Sequence, residues 1–388
     1  MAYAKGRVFH DADSHIMELP DFLTAHADPG LREKMPPIGF GAGGKGAEGK
    51  LMRFKLEGAA KDEKIARLTG LGDGLIAGPK GYEALGAFDG AERAKALDQL
   101  GFAKQLVFST FAPAAFFDER LDPDVQYGAA RAHNRAVADF CGSDKRLIGV
   151  AAVPLDHPDR AMAELELALD LGLGGIWVPH RPAGGRSPGH DDFDPFWARL
   201  ADAGVPFLLH VGGHKLQVPK EWMNNGRPVP TDWLGGGENI RAKDMTSLHH
   251  MPETFLSAMI LDGVLERHPK LRGGAIELGA AWVPSMLRRL DQIAEIWRKS
   301  EPELAKLKRK PSEQATEQLR FTPYPFEDVG AMIRESNDRL YLFSSDYPHT
   351  EGGRNPLGRF EASLADASEE TRDRFYTRNF VDMCPAAG

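Results

Sequence analysis

The sequence predicts an α/β fold, a distorted TIM (β/α)8 barrel with long loop insertions after strands 1 and 5. Three observations carry this. Eight short apolar runs recur along the chain, at residues 7–13, 105–110, 147–152, 174–179, 206–211, 272–277, 318–323 and 340–345. They read as unbroken apolar stretches, as parallel strands buried on both faces do. Amphipathic helical patterns fill the intervals, and strands alternating with helices build parallel sheets. An open doubly wound sheet is the alternative, and it has no need of eight strands.

The first element lies in "VFHDADSHIMELPDFL", residues 8–23. Strand side chains alternate faces, so Asp11, Asp13 and His15 point the same way if the strand stays regular. Two acids and an imidazole on one face need a positive charge or a retained proton between them. A divalent metal supplies that charge. The plainer alternative is a helix start, since Asp and Ser are common N-caps.

Residues 24–95 follow as an insertion over the barrel mouth, with a partial helix at "KDEKIARLTGL". Its glycine-rich stretches, "GFGAGGKGAEGK" and "GLGDGLIAGPKGYEALGAFDG", are not phosphate loops. Neither ends in Lys-Ser/Thr or follows a strand tightly. The clearest helix is "DHPDRAMAELELALDLGLG", with Pro158 near its start, Met162, Leu165 and Leu169 at helical spacing, and Gly172 after its last turn. A second long connection, about 212–250, carries Trp222, Trp233 and "LGGGEN". Long connections inside compact domains usually act as lids or binding loops. The stretch 295–310 reads as a solvated helical face, and 351–388 as a C-terminal helical segment closing a single domain over 1–388.

Composition narrows the class. Of the 388 residues, 42% are hydrophobic and 27% charged, which is ordinary for a globular chain. With 56 acids against 48 bases the net charge is −8, and no basic block offers a nucleic-acid footprint. Two cysteines, Cys141 and Cys384, make no disulfide framework and point to a reducing compartment. The N-terminus lacks a signal peptide's apolar region, and no apolar run of about 20 residues is present. The expectation is a cytoplasmic protein acting on a small molecule, without nucleic-acid or membrane partners.

Polar residues gather where barrel chemistry is done, at the C-terminal ends of strands. Asp13 ends strand one and His15 follows it, His180 follows strand four, and His210 lies on strand five with His214 just beyond. Glu277 ends strand six, and Asp346 with His349 follows strand eight in "SSDYPH". Histidine with carboxylate suits zinc, iron or manganese.

These residues sit in "DADSHIMEL", "DKRLIGVAAVPL", "HVGG", "GVLERHPKLRGGAIELGAAWVPSMLRRLD", "PFEDV" and "LYLFSSDYPH". In this order they resemble the amidohydrolase-related family, in the branch of aminocarboxymuconate-semialdehyde, resorcylate and carboxyvanillate decarboxylases. The resemblance covers most of residues 7–350. It implies a distorted barrel with a metal at its mouth, held by Asp13, His15, His210 and Asp346. It also implies that Asp346 both binds metal and handles the proton of an attacking water, and that such barrels associate as a homodimer or a related hetero-oligomer. Two places depart from the branch: many relatives carry His-x-His at the first strand, where Asp13 still supplies an oxygen ligand, and the end of strand six differs. The branch's aromatic-acid decarboxylases carry His-x-Gly-Glu at the end of strand six, where this chain has Glu277, Leu278, Gly279 and Ala280.

Glu277 is therefore expected as a metal ligand, a base, or the bridge to a second ion with help from His180. The alternative is an ion pair with Arg288 or Arg354. One divalent ion is expected and two are an alternative. Arg354, His214, His249 and His250 are the expected substrate contacts, Arg354 because a guanidinium suits a carboxylate. His10, His26, His157 and His268 read as structural, and Trp177, Trp282 and Pro284 as packing residues. Three functions follow. The first is a metal-dependent hydrolase or carbon–carbon lyase on a small, carboxylate-bearing substrate. The second is an oxygen-activating dinuclear iron or iron/manganese mono-oxygenase. The third is a metal-bound but inactive partner subunit.

Overall fold

The computed structural model describes residues 2–39, 51–214, 218–228 and 240–385. Trp233 and "LGGGEN" lie outside the described residues, as does most of "GFGAGGKGAEGK". Eight short strands form one parallel sheet: β1 (His10–Asp11), β2 (His15–Ile16), β3 (Lys104–Ser109), β4 (Leu147–Ala152), β5 (Gly175–Trp177), β6 (Phe207–His210), β7 (Gly273–Ile276) and β8 (Leu319–Phe321). The order is β1-β3-β4-β5-β6-β7-β8, with β2 also on β3.

Two strand expectations change. Residues 7–13 do not form one strand; the first stave breaks between β1 and β2. Polar side chains take over backbone groups at the break: the Asp11 carboxylate accepts from Asp13 N at 3.4 Å, and Ser14 Oγ donates to Leu106 O at 2.6 Å. Asp11 therefore leaves the face that Asp13 and His15 share. It accepts instead from Ser345 N (2.7 Å), Ser345 Oγ (2.6 Å) and Gln105 Nε2 (2.8 Å), tying the first stave to both neighbours.

Residues 340–345 are not a regular strand either. They bond alternately to the elements on each side, and Phe343 N is diverted to Phe375 O at 3.0 Å. Phe321 N reaches Leu340 O at 2.8 Å on one side, while Ala12 N reaches Phe343 O at 3.0 Å and His15 N reaches Tyr347 O at 2.8 Å on the other. This stave closes the barrel between β8 and the first strands.

The strands hold because their side chains are buried on both faces. Trp177, Ile176, Phe207, Leu208, Leu106, Phe108 and Ala275 are all at most 1% exposed. The predicted helix forms over Pro158–Asp170, and Gly172 takes the left-handed φ of 73° that ends it. The partial helix of the 24–95 segment spans Gly58–Thr69. Among the described residues no helix is long and apolar enough to cross a membrane.

Candidate metal centre

Strand ends place six donors within a few ångströms. Asp13, His15, His210 and Glu277 form one group whose ligand atoms lie within 4.8 Å of one another, and His15, Glu277, Asp346 and His349 form a second. His15 Nε2 stands 3.2 Å from Asp13 Oδ1, 3.6 Å from Glu277 Oε2 and 3.5 Å from Asp346 Oδ1. His210 Nε2 stands 3.4 Å from Asp13 Oδ1 and 3.2 Å from Glu277 Oε2. All are buried.

The backbone is bent to make this happen. Glu277 (φ 55°) and Asp346 (φ 52°) are the non-glycine residues with positive φ among those described. A left-handed acidic residue costs on the order of 1 kcal/mol or more and persists where the surroundings over-determine it. Here Thr322 Oγ1 accepts from Glu277 N at 2.8 Å, and Tyr324 OH donates to Glu277 O at 2.7 Å. Asp346 N donates to Asp13 O at 3.0 Å.

Electrostatics call for positive charge among these acids, from an ion or from retained protons. At 4.8 Å, the outer limit within each group, two carboxylates repel by about 3.5 kcal/mol at an effective dielectric near 20. Hydrogen-bond polarity makes the same point. His210 Nδ1 lies 2.9 Å from Val211 O, a carbonyl that can only accept, so Nδ1 carries the proton. In neutral His210 the bare Nε2 lone pair then faces two carboxylate oxygens, the arrangement of a metal-ligating histidine oriented by a backbone carbonyl. Without an ion, protons fill the role. Burial works against the charged form of His15 and His210, but the Asp13 carboxylate beside them raises both. Burial likewise opposes the charge on Asp13, yet the hydrogen bonds and charges of the two histidines pull its carboxyl well below the usual range. The donor set fits a divalent ion.

Support comes from residues with no obvious motif. Arg93 is fully buried and donates to Gly86 O (2.9 Å), Gln105 Oε1 (3.1 Å) and His15 O (2.5 Å), fixing the backbone of a donor. Burial lowers its guanidinium to about 10. The Lys80 ammonium is buried 5.6 Å above the Tyr347 ring and makes no hydrogen bond among the described residues. Burial brings it down to about 8, against the attraction of Asp346, Glu351 and Asp11. Neither residue has a sequence signal: Lys80 sits in the 24–95 connection and Arg93 within helix Gly90–Leu100. His349 has one: it follows Asp346 by three residues in "SDYPH", and its Nδ1 lies 3.0 Å from Asp346 Oδ1.

The other expected contacts are arranged differently. His180 is buried and outside both donor groups; it packs against Gly213, where a Cβ would sit 2.7 Å from its Nδ1. Burial lowers its pKa to about 3, with His214 and His210 adding to the effect. Its ring lies 6.2 Å from that of His214. His214 lines a cavity of about 450 Å³ with Phe117, Arg181, Val211 and Gly213. Neither this cavity nor a larger one of about 710 Å³ is lined by any of the donors; Asp13, Glu277 and Asp346 line a separate pocket of about 10 Å³. His249 is half-buried and stacks on Trp282 at 6.0 Å, while His250 is exposed on the first turn of helix His250–Leu261. Arg354 is exposed, and Arg288 pairs with Glu335 at 3.7 Å, so neither supplies the ion pair envisaged for Glu277.

Known proteins share this fold and family. A gamma-resorcylate decarboxylase of a Rhizobium species is 28% identical over 269 residues, 66% of this chain and 76% of the relative. An amidohydrolase from Mycobacterium avium subsp. paratuberculosis shares the fold with a TM-score of 0.74 at 23% identity, over 98% of this chain and 100% of that one. A dihydroxybenzoic acid decarboxylase from a Polaromonas species, solved with bound manganese, gives 0.61 at 17% identity over 99% and 98%. The amidohydrolase family profile matches residues 82–379. The chain belongs to the amidohydrolase family.

Proposed function

We propose that the chain is a metal-dependent carbon–carbon lyase that removes the carboxylate of a small aromatic acid. The observation that carries this is the buried group of Asp13, His15, His210 and Glu277, with Asp346 beside it, at the strand ends. Its curated relative acts on an aromatic acid of this kind, as its name says. A divalent ion bound there supplies positive charge that holds and polarises a substrate oxygen.

The chain's own residues do the rest. Asp13, His15, His210 and Asp346 hold the ion. Lys80, an unbonded buried ammonium near the acids, attracts the anionic substrate. We assign substrate entry to the cavity beyond β6, lined by His214, Arg181 and Val211, the residue next to His210. Glu277 stands where the branch's decarboxylases carry a histidine. An ionised carboxylate beside a cation accepts protons and gives them up poorly, so Glu277 acts as ligand or base, and simple hydroxybenzoates turn over slowly. His180, held neutral and packed behind Gly213, is not the proton source.

The segment 24–95 covers the mouth. In support, Gly81 N donates to Pro348 O at 2.9 Å, and Tyr347 OH donates to Leu85 O at 2.8 Å. We further infer a cytoplasmic homodimer: both cysteines are free and buried, and Trp222 offers an apolar anchor at 71% exposure.

The test is carbon dioxide release by metal-depleted and manganese-reconstituted protein over a panel of aromatic carboxylic acids. Turnover should appear only with metal, and the simplest hydroxybenzoates should be slow. A panel in which the metal-replete protein releases nothing rejects the lyase reading. The oxygenase alternative draws on the same glutamate and the second donor group; dioxygen consumption by iron-loaded protein during substrate turnover would favour it.

A further inference from the structure

The two donor groups share His15 and Glu277 but differ in Asp13 and His210 against Asp346 and His349. Four protein donors at mutual contact already suffice for one ion. The remaining pair asks for an explanation, and His349 supplies it through its hydrogen bonds.

Thr110 Oγ1 lies 2.8 Å from Ile16 O and 3.0 Å from His349 Nε2. A threonine hydroxyl has one proton, and a carbonyl can only accept. The proton therefore goes to Ile16 O, and the hydroxyl accepts from Nε2–H of His349. In neutral His349, Nδ1 is then a lone pair. It points at Asp346 Oδ1 from 3.0 Å, acceptor against acceptor.

Ring geometry separates this lone pair from the first position. The His15 and His349 rings stack with centroids 3.9 Å apart and planes inclined by 24°. Imidazole lone pairs lie in the ring plane. Planes so nearly parallel meet well beyond a metal–nitrogen bond of about 2.1 Å, so the two rings cannot serve one ion. Two ions about 3.5–4 Å apart match the stacking distance and need a shared carboxylate. Glu277 belongs to both donor groups, and Asp346 Oδ1 stands 3.5 Å from His15 Nε2 and 3.0 Å from His349 Nδ1.

We propose that His349, through Nδ1, completes a second divalent-cation position with Asp346 and Glu277, the two carboxylates shared with the ion that Asp13, His15 and His210 hold. This rests on the reading of the strand ends as a metal centre. It assigns to His349 the role that the sequence offered to His180. Thr110 is its positioning residue.

The experiment is manganese binding by equilibrium dialysis of the full chain with elemental analysis, which reads stoichiometry without reference to activity. Wild-type protein should saturate at two ions per chain and His349→Phe at one, with unchanged circular dichroism. Thr110→Val removes the acceptor that fixes the tautomer and leaves His349 in place. It should weaken the second ion by roughly 10- to 100-fold and spare the first, the size expected for a ligand's hydrogen-bond partner. This variant decides the matter should His349→Phe fail to fold. Saturation of wild type at one ion overturns the second position and leaves the metal-centre reading standing. Two ions in a folded His349→Phe overturn the role of His349, and two ions of unchanged affinity in Thr110→Val overturn the tautomer argument. A wild-type chain that binds none overturns the second position and the metal centre together.

Discussion

Replacing His210 by alanine should strip the primary ion. Its Nε2 lies 3.2–3.4 Å from two carboxylate oxygens, and its Nδ1 proton is fixed on Val211 O. A four-ligand structural zinc site contributes about 10–16 kcal/mol, or roughly 3 kcal/mol per ligand. That is on the order of a hundredfold in affinity. His210 also stacks on Phe108 at 4.3 Å and packs on Trp177 at 4.8 Å, so alanine leaves a cavity and lowers stability as well. Affinity must therefore be read separately from folding. Competition dialysis of manganese against a calibrated chelator does this, with a thermal melt of the apoprotein alongside. His210→Gln fills more of the space without presenting an aromatic nitrogen at the same point, and should lose affinity with less loss of stability. An affinity within threefold of wild type in both variants would refute the assignment of His210 as a ligand.

Glu277→Gln keeps the shape and removes the charge, so metal content should fall or turnover should drop by on the order of a hundredfold; no change in either would make the glutamate structural. Arg93→Met leaves the carbonyls of Gly86 and His15 and the Gln105 amide oxygen without their donor. Each buried orphan costs about 1–3 kcal/mol, so the denaturation midpoint should fall by several kcal/mol equivalents, and an unperturbed midpoint would contradict the clamp. His133 is buried between Ser109 (2.6 Å) and Asn134 (2.8 Å), and burial lowers its pKa to about 4. The unfolded chain binds its proton near 6.5 and the folded chain only near 4, so stability should fall as pH drops from 6.5 to 4, by on the order of 3 kcal/mol. His133→Gln should flatten that slope in acid titrations of unfolding, and a slope unchanged by the substitution would assign the acid lability elsewhere. Light scattering at micromolar concentration should give at least a dimer mass; a clean monomer would reject the association.

What could be read from sequence depended on where the chemistry lay. Apolar runs such as "LIGVAA" are buried on both faces, and the strand Leu147–Ala152 appears with its expected bounds. The first and last staves differ from expectation because Asp11, Ser14 and Phe343 divert backbone bonds to side chains and to the π-helix Arg374–Arg378. No local pattern announces such competition. The structure brings Asp13, His15, His210, Glu277 and Asp346 together, and the signal for that was their place just after apolar runs. Arg354 and His250 sit past the ends, on a loop and a helix start that turn them to solvent. His180 has the right strand but is sealed behind Gly213. The left-handed backbone at Glu277 leaves no trace in residue type, whereas Asp346 is of a type that adopts that region more readily.

The most direct measurement is anomalous diffraction from crystals of manganese-loaded protein, recorded near the manganese edge. A peak bounded by Asp13, His15 and His210, with Glu277 and Asp346 alongside, is the expected result. Fully loaded crystals with no anomalous density among these residues, or with the peak on another part of the barrel, would contradict the metal centre.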